Sequence, residues 1–190
     1  ESPKHDTTDL RRSAQLARES FKHHYVGPTG CADVIDPDNE QVRPNCLLGI
    51  SLPHAPLLEA SLVRTAGAEL LTSLGLRSLS PSDPAYRGVH HGGVRERDTA
   101  YHQGTVWPWM IGPYVEAARR TGVPVTGVLT GLEQHLWEWG LGSVSETADG
   151  DAPHRATGCP MQAWSVAEVI RARRMLRTRA ATTRQLPSAP

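Results

Sequence analysis

The sequence has no excess of charge of either sign. Its 190 residues include 20 Lys and Arg and 20 Asp and Glu, so the formal net charge is zero. A balanced chain creates no field that would attract a phosphate backbone or an anionic membrane surface. We therefore expect neither nucleic acid nor a membrane as a partner.

Cysteine is also scarce, and Cys31, Cys46 and Cys159 show no CxxC spacing. An odd number at these spacings argues against a disulfide framework and a cysteine zinc site. The chain begins without the apolar core of a signal peptide, and no apolar run reaches the roughly 18 residues that a membrane span needs. These absences predict a cytoplasmic protein. The first residue is not Met, so we expect a processed chain or a fragment.

Apolar residues instead recur at steps of three and four. With 38% hydrophobic against 21% charged residues, the chain can form a core. No sustained alternation of period two is present, so the pattern predicts an all-α domain over residues 1–177. The polar segment 178–190 is expected to be a flexible tail. The predicted helices cover residues 10–25, 44–52, 58–70, 107–118, 125–136 and 160–174.

Three tracts between these helices combine polar and aromatic residues: LSPSDPAYRGVHHGG (79–93), RDTAYHQGTVWPW (97–109) and GSVSETADGDAPHRATGC (142–159). Antiparallel helical pairs would bring such loops to one end of the domain. A sugar needs hydrogen-bonding groups for its hydroxyls and a flat apolar face for its C–H bonds. The second tract supplies both, although Trp107 and Trp109, taken alone, are more typical of core residues at a helix start.

Glu146 is the only glutamate of the third tract. Glycosidic cleavage requires two carboxyl groups, one to protonate the leaving oxygen and one to activate water or attack carbon. By itself, an acidic loop of this kind is typical of solvated surface.

Taken together, four tracts resemble the C-terminal glucosidase domain of glycogen debranching enzymes, the amylo-α-1,6-glucosidase type of bacteria and archaea. They read RPNCLLGISLP, LSPSDPAYRG, RDTAYHQGTVWPW and GSVSETADGDAPHRATGCPMQAWSVAE, in the family's order. The resemblance implies an (α/α)6 toroid of the six-hairpin glycosidase type. About six helices are predicted where that toroid has twelve, so the chain would be its C-terminal half.

The resemblance also implies hydrolysis of α-1,6-linked glucose from a glucan or oligosaccharide with inversion, and no cofactor or metal. Glu146 matches the general base. The family's general acid is an Asp far upstream, and no position here matches it. The expected partner is the N-terminal half of the toroid, or a second copy. The substrate-binding positions that it implies are Arg43, Asn45, Asp98, Tyr101, His102, Gln103, Trp107, Trp109, His154, Gln162 and Trp164.

Two departures from the family pattern are expected to alter the pocket or the substrate preference. Cys46 replaces the usual Gln after the RPN triplet. Thr147 and Ala148 replace a bulkier Ile-Phe pair directly after Glu146.

Three other functions are compatible with parts of the sequence. One is a non-catalytic carbohydrate-binding module, or an inactive truncated homologue, that lacks the acid. A second is a metal site using His23, His24, His90 and His91, which the absence of HExxH and of finger spacing disfavours. The third is a nucleophile at Cys159 with His154 as its base, whereas a free Cys at a predicted helix start is more typical of a buried residue.

Overall fold

The structure is a computed structural model that describes residues 7–27 and 30–184. Its helices are joined by irregular segments, and two 3₁₀ turns, Pro44–Leu47 and Pro108–Met110, lead directly into the helices that follow them. A proline opens each of these turns, where its missing N–H has no partner to lose. The α-helices are α1 (Thr8–Tyr25), α2 (Leu48–Ser51), α3 (Ala60–Glu69), α4 (Val94–Ala100), α5 (Ile111–Thr121), α6 (Thr130–His135) and α7 (Ala163–Arg184).

The prediction of an all-α domain forming half of a helical toroid is wrong, because the described residues also form two antiparallel sheets. The smaller sheet pairs β1 (Val34–Ile35) with β2 (Asp38–Asn39). The larger has five strands in chain order, each of two or three residues. These are β3 (Leu71–Thr72), β4 (Gly75–Arg77), β5 (Val106–Trp107), β6 (Thr147–Ala148) and β7 (Ala156–Thr157).

The strands escaped prediction because alternation becomes recognisable only over about four to eight residues. Their pairing is set by tertiary contacts instead. Leu76 of β4 lies opposite Trp107 of β5, and Val106 lies opposite Ala148 of β6. Leu76, Val106 and Ala148 are fully buried, so apolar burial holds the sheet together.

The hydrophobic core lies around α5, which packs against α2, α3 and α7. Ile111, Val115 and Ala118 follow one another at helical spacing and are essentially inaccessible to solvent. The helix ends at Gly122, whose positive φ of 74° provides a left-handed C-cap. Burial of each Ile or Val side chain stabilises the fold by about 1.5–3 kcal/mol. The helix predicted over residues 107–118 is therefore present, but it begins at Ile111 after the 3₁₀ turn and ends at Thr121.

Other predicted elements differ in extent. The predicted helix over 125–136 is reduced to α6, and α1 buries none of its residues, although its apolar stripe was expected to pack. Residues 1–6, 28–29 and 185–190 lie outside the described residues, as do the side chains of 178–184. The predicted tail, 178–190, falls largely on this part. Within the described ranges, no helix is long and apolar enough to cross a membrane.

Candidate active site

The Glu146 carboxylate is held by two donors. The Tyr101 hydroxyl donates to Oε1 at 2.9 Å, and the backbone N–H of Cys159 donates to Oε2 at 2.9 Å. The backbone N–H of Glu146 in turn donates to the Cys159 carbonyl at 2.8 Å. Each carboxylate oxygen keeps a second lone pair, so the group is oriented and can still accept a proton.

Local backbone geometry explains this arrangement. Glu146 directly precedes β6, and the returning strand β7 is followed by Gly158, which has a positive φ of 70°. A Cβ atom at Gly158 would lie 2.6 Å from Glu146 Oε2. Glycine is therefore required here both for the backbone conformation and for the space that the carboxylate occupies.

Glu146 opens onto a cavity of about 390 Å³, referred to below as the Glu146 cavity. Asp98 and Tyr101 are three positions apart at the end of α4, which places them on one face. Asp98 is exposed and has no hydrogen-bond or ion-pair partner among the described residues. The full lining is His90, Arg97, Asp98, Tyr101, Glu146, Thr157 and Gly158.

Tyr101 remains a hydrogen-bond donor over the whole physiological range. Burial and the hydrogen bond to Glu146 raise the pKa of the Tyr101 phenol to about 12. The phenol is thus protonated at neutral pH. Because an ionised carboxylate oxygen can only accept, the Tyr101 O–H is the donor in this hydrogen bond.

His90 forms part of the cavity wall and was not among the predicted site residues. Its side chain is buried, and its Nδ1 is hydrogen-bonded to Thr157 Oγ1 at 2.9 Å. Its backbone N–H donates to Asp149 Oδ1 at 2.7 Å. Burial lowers the pKa of the imidazole, so His90 is neutral at neutral pH. Arg97 and Thr157 were also missed, although all three residues lie within the polar and aromatic tracts of the sequence, and His90 was considered only as a metal ligand.

A second cavity, of about 510 Å³, lies beside the first and is called the aromatic cavity below. Trp109 and Trp164 stack at 5.5 Å between ring centroids, and His102 stacks on Trp107 at 5.7 Å. The Tyr101 ring contacts Trp107 edge-on at 4.8 Å, which joins the two cavities through one ring. The predicted sugar contacts that line the aromatic cavity are Arg43, Asn45, His102, Trp107, Trp109 and Trp164.

Arg43 and Gln103 are mainly framework residues of this site. The Arg43 guanidinium donates to the backbone carbonyls of Ser78 and His102, and to the side-chain oxygens of Gln41 and Gln103. Its side chain is only 12% exposed. These bonds occupy its N–H groups, so Arg43 fixes the position of the segment that carries His102.

Asn45 is exposed at the cavity edge, where its amide donates to Asp33 Oδ1 at 2.8 Å. Gln162 and His154 are not brought to either of these cavities. Gln162 precedes α7, and its backbone N–H donates to the Val144 carbonyl. His154 has a positive φ of 60°, and its Nδ1 is hydrogen-bonded to the Asp149 carbonyl.

The alternative chemistries receive no geometric support from these contacts. The Cys159 thiol donates to the Met161 carbonyl, whereas His154 is bonded to Asp149, so the two do not form a nucleophile and base pair. His91 Nδ1 lies 3.0 Å from Asp149 Oδ1. Within the described ranges, no group of three or more His, Cys, Asp or Glu residues could hold a metal ion.

An oriented carboxylate can supply one of the two carboxyl groups that a glycoside hydrolase needs, and the neighbouring aromatic rings can pack on a sugar, so the two cavities fit an enzyme related to glycoside hydrolases. A comparison with known protein families defines the class more narrowly. The family model described as amylo-alpha-1,6-glucosidase matches residues 2–171, so the chain belongs to the amylo-alpha-1,6-glucosidase family. This confirms the resemblance to the C-terminal domain of glycogen debranching enzymes, and it indicates a glucosidase-related function.

Proposed function

We propose that the protein acts in the hydrolysis of α-1,6-linked glucose at glucan branch points, with inversion, and that Glu146 is the general base. The observation that carries this proposal is the Glu146 carboxylate, oriented by Tyr101 and Cys159 at the wall of a cavity. The family match supports the substrate class.

In this mechanism, Glu146 accepts a proton from a water molecule as the water oxygen attacks the anomeric carbon. An acid on the other face of the sugar protonates the leaving oxygen, and the two carboxyl groups are about 6.5–9.5 Å apart. No position of the sequence matches the family's acid, so we assign that role to a residue outside this chain. Asp98, on the same cavity as Glu146, is assigned to a sugar hydroxyl.

The aromatic cavity extends the binding site away from Glu146. The stacked Trp109 and Trp164 rings offer a flat apolar surface, and Asn45 and His102 provide polar groups at its edge. Sugar rings pack their C–H faces on such surfaces while their hydroxyls form hydrogen bonds. We therefore assign the remaining sugar rings of the glucan to this cavity.

Replacement of Glu146 by Gln tests the base assignment. The Gln amide oxygen can accept from the Cys159 N–H, and its NH₂ group can donate to the Tyr101 hydroxyl, so both hydrogen bonds can be kept. In an enzyme completed by the part that supplies the acid, we expect release of glucose from an α-1,6-branched dextrin to fall by about 10²- to 10⁴-fold. Dextrin binding, measured by calorimetry, should change little. A matched control is Glu116→Gln, which removes a carboxylate that is 14% exposed and paired with Arg119 outside the Glu146 cavity.

An active Glu146→Gln protein would contradict the base assignment. The aromatic cavity also favours a second function, a non-catalytic carbohydrate-binding module, because its rings could bind glucan without an acid. Two results together would favour the module. Dextrin binding would be unaffected by Glu146→Gln, and the unaltered protein would release no glucose, alone or combined with a part that supplies an acid. Asp98→Asn distinguishes two possible roles of Asp98. If Asp98 contacts a sugar hydroxyl, the substitution weakens binding, whereas if Asp98 is the acid, the substitution abolishes turnover.

A further inference from the structure

The segment after α6 exposes an unusual amount of apolar surface. Trp137 is 81% exposed, Trp139 38% and Leu141 77%. Exposed aromatic residues that cluster in this way mark an interaction site rather than ordinary surface. Neither the Glu146 cavity nor the aromatic cavity includes any of these residues.

Trp139 lines a separate cavity of about 420 Å³, called the Trp139 cavity below. The Trp139 cavity shares no lining residue with the Glu146 cavity. The β6–β7 hairpin separates the two cavities. Glu146 and Gly158 lie at the open end of this hairpin, whereas His154 and Arg155 lie at its turn. The Trp139 cavity is therefore at the opposite end of the hairpin from the catalytic carboxylate.

The polar groups of the Trp139 cavity are available for a ligand. The Gln134 amide, the Glu138 carboxylate and the Arg155 guanidinium are exposed, and their side chains have no hydrogen-bond or ion-pair partner among the described residues. One acidic and one basic side chain leave the site without net charge. This composition is unsuited to a phosphate or a cation, but a neutral polyhydroxylated ligand needs both donors and acceptors beside an aromatic face.

We propose that the Trp139 cavity is a second glucan-binding site, which takes an α-1,4-linked glucose chain with Trp139 under a sugar ring. The proposal rests on the proposed function only for the kind of sugar. A branched glucan presents many chain ends, so a second site can hold one chain while another reaches Glu146, and this raises the effective concentration at the catalytic carboxylate. His154, which the resemblance assigned to the substrate, contributes to this second site instead.

The floor of the cavity is rigid enough to form a defined site. His135 is only 1% exposed, and its Nε2 accepts a hydrogen bond from the Ser145 N–H at 3.3 Å. This bond ties the end of α6 to the residue that precedes Glu146. His154 Nδ1 is fixed by the Asp149 carbonyl at 3.1 Å. Residues on both walls are thus anchored, while Gln134, Glu138 and Arg155 project from an ordered frame.

Titration with maltoheptaose, followed by NMR of the indole N–H groups, tests this site directly. The sequence has five tryptophans, so each signal can be assigned by one Trp→Phe variant. We expect the Trp139 signal to shift saturably at millimolar ligand. Signals of Trp109 and Trp164 report separately on the proposed active site. Cellohexaose, a β-linked chain, serves as the ligand control.

An unshifted Trp139 signal at millimolar maltoheptaose would overturn the proposal, whatever the other signals do. A shifted Trp139 with unshifted Trp109 and Trp164 would support it while contradicting the sugar assignment of the aromatic cavity. An equal response to cellohexaose would overturn the assignment to α-linked glucan.

Two substitutions give a second, independent measurement. Gln134→Ala and Arg155→Ala each remove one hydrogen-bonding group, and we expect the affinity read at Trp139 to weaken about fivefold, the equivalent of one net hydrogen bond of about 1 kcal/mol. The affinity read at Trp109 should be unchanged. Arg64→Ala, at an exposed position of α3, is the matched control. Equal affinity at Trp139 in both variants and in the control would overturn the proposal.

Discussion

The substitution Tyr101→Phe tests how the Glu146 carboxylate is oriented. It removes one hydroxyl and with it the 2.9 Å hydrogen bond to Oε1. The phenyl ring can keep its contacts with His102 at 4.9 Å and Trp107 at 4.8 Å, so the wall between the two cavities is preserved. The change therefore isolates a single interaction in the proposed catalytic group.

A hydrogen bond to a charged group contributes about 1.5–3 kcal/mol. Tyr101 and Glu146 are half-buried, so the lower value of about 1.5 kcal/mol is appropriate. The Cys159 N–H still holds Oε2, which limits the loss of orientation. If that energy is lost from the transition state alone, kcat falls about tenfold. KM should change little, because the substituted hydroxyl is engaged by the carboxylate rather than by the sugar.

The assay is glucose release from an α-1,6-branched dextrin by the enzyme completed with the part that supplies the acid, with kcat and KM determined separately. Tyr86→Phe is a matched control, since its hydroxyl donates to Asp151 at 3.0 Å outside the Glu146 cavity. In the Glu146→Gln background, Tyr101→Phe should have a much smaller effect. An unchanged kcat, or a tenfold rise in KM at constant kcat, would refute the positioning role of Tyr101.

Four further substitutions and one pH dependence follow from the same geometry. Gly158→Ala should lower kcat more than tenfold, because the added Cβ would displace Glu146 Oε2. Gly142→Ala is the control: Gly142 also has a positive φ, of 85°, but no atom lies within 4 Å of the added Cβ, so only the melting temperature should fall. Burial lowers the pKa of His135 below its ordinary 6.5, so the unfolded chain binds the proton more readily and stability is lost as the pH falls below about 6.5. Melting temperatures from pH 7.5 to 5 should show this loss, and His135→Gln should flatten it. Ser145→Ala removes a buried hydroxyl without a hydrogen-bond partner, so we expect an unchanged or higher melting temperature, and a loss of several degrees would contradict this.

How far the sequence predicts the fold depends on the length of each element. Three turns of apolar spacing identified α5, although its bounds are Ile111–Thr121 rather than residues 107–118. Shorter elements left no such pattern, and the strands of the main sheet are set by partners far away in the chain, as with Leu76 and Trp107. The sheet depends on pairing between strands that are far apart in the chain, and no short stretch of sequence shows this pairing. The sequence therefore predicted helices alone.

The candidate site shows the same limit. Glu146 and Tyr101 were both identified from their tracts, but their hydrogen bond joins residues 45 positions apart, and no spacing rule predicts it. His90 was missed because its role depends on Thr157, 67 positions away. The division of the predicted sugar contacts among three cavities likewise follows from the fold of the β6–β7 hairpin and not from the order of the motifs.

The departure at Thr147 and Ala148 acquires a physical meaning from this hairpin. Both residues are fully buried in the sheet behind the Glu146 cavity, so they do not themselves form its wall. Thr147 Oγ1 is hydrogen-bonded to Thr157 Oγ1 at 2.8 Å, and Thr157 Oγ1 to His90 Nδ1 at 2.9 Å. A hydroxyl at position 147 thus completes a buried polar chain that orients the His90 ring at the wall of the Glu146 cavity. An Ile at that position would leave Thr157 with one partner fewer, so we expect the departure to act on the cavity through the orientation of His90 rather than through its volume.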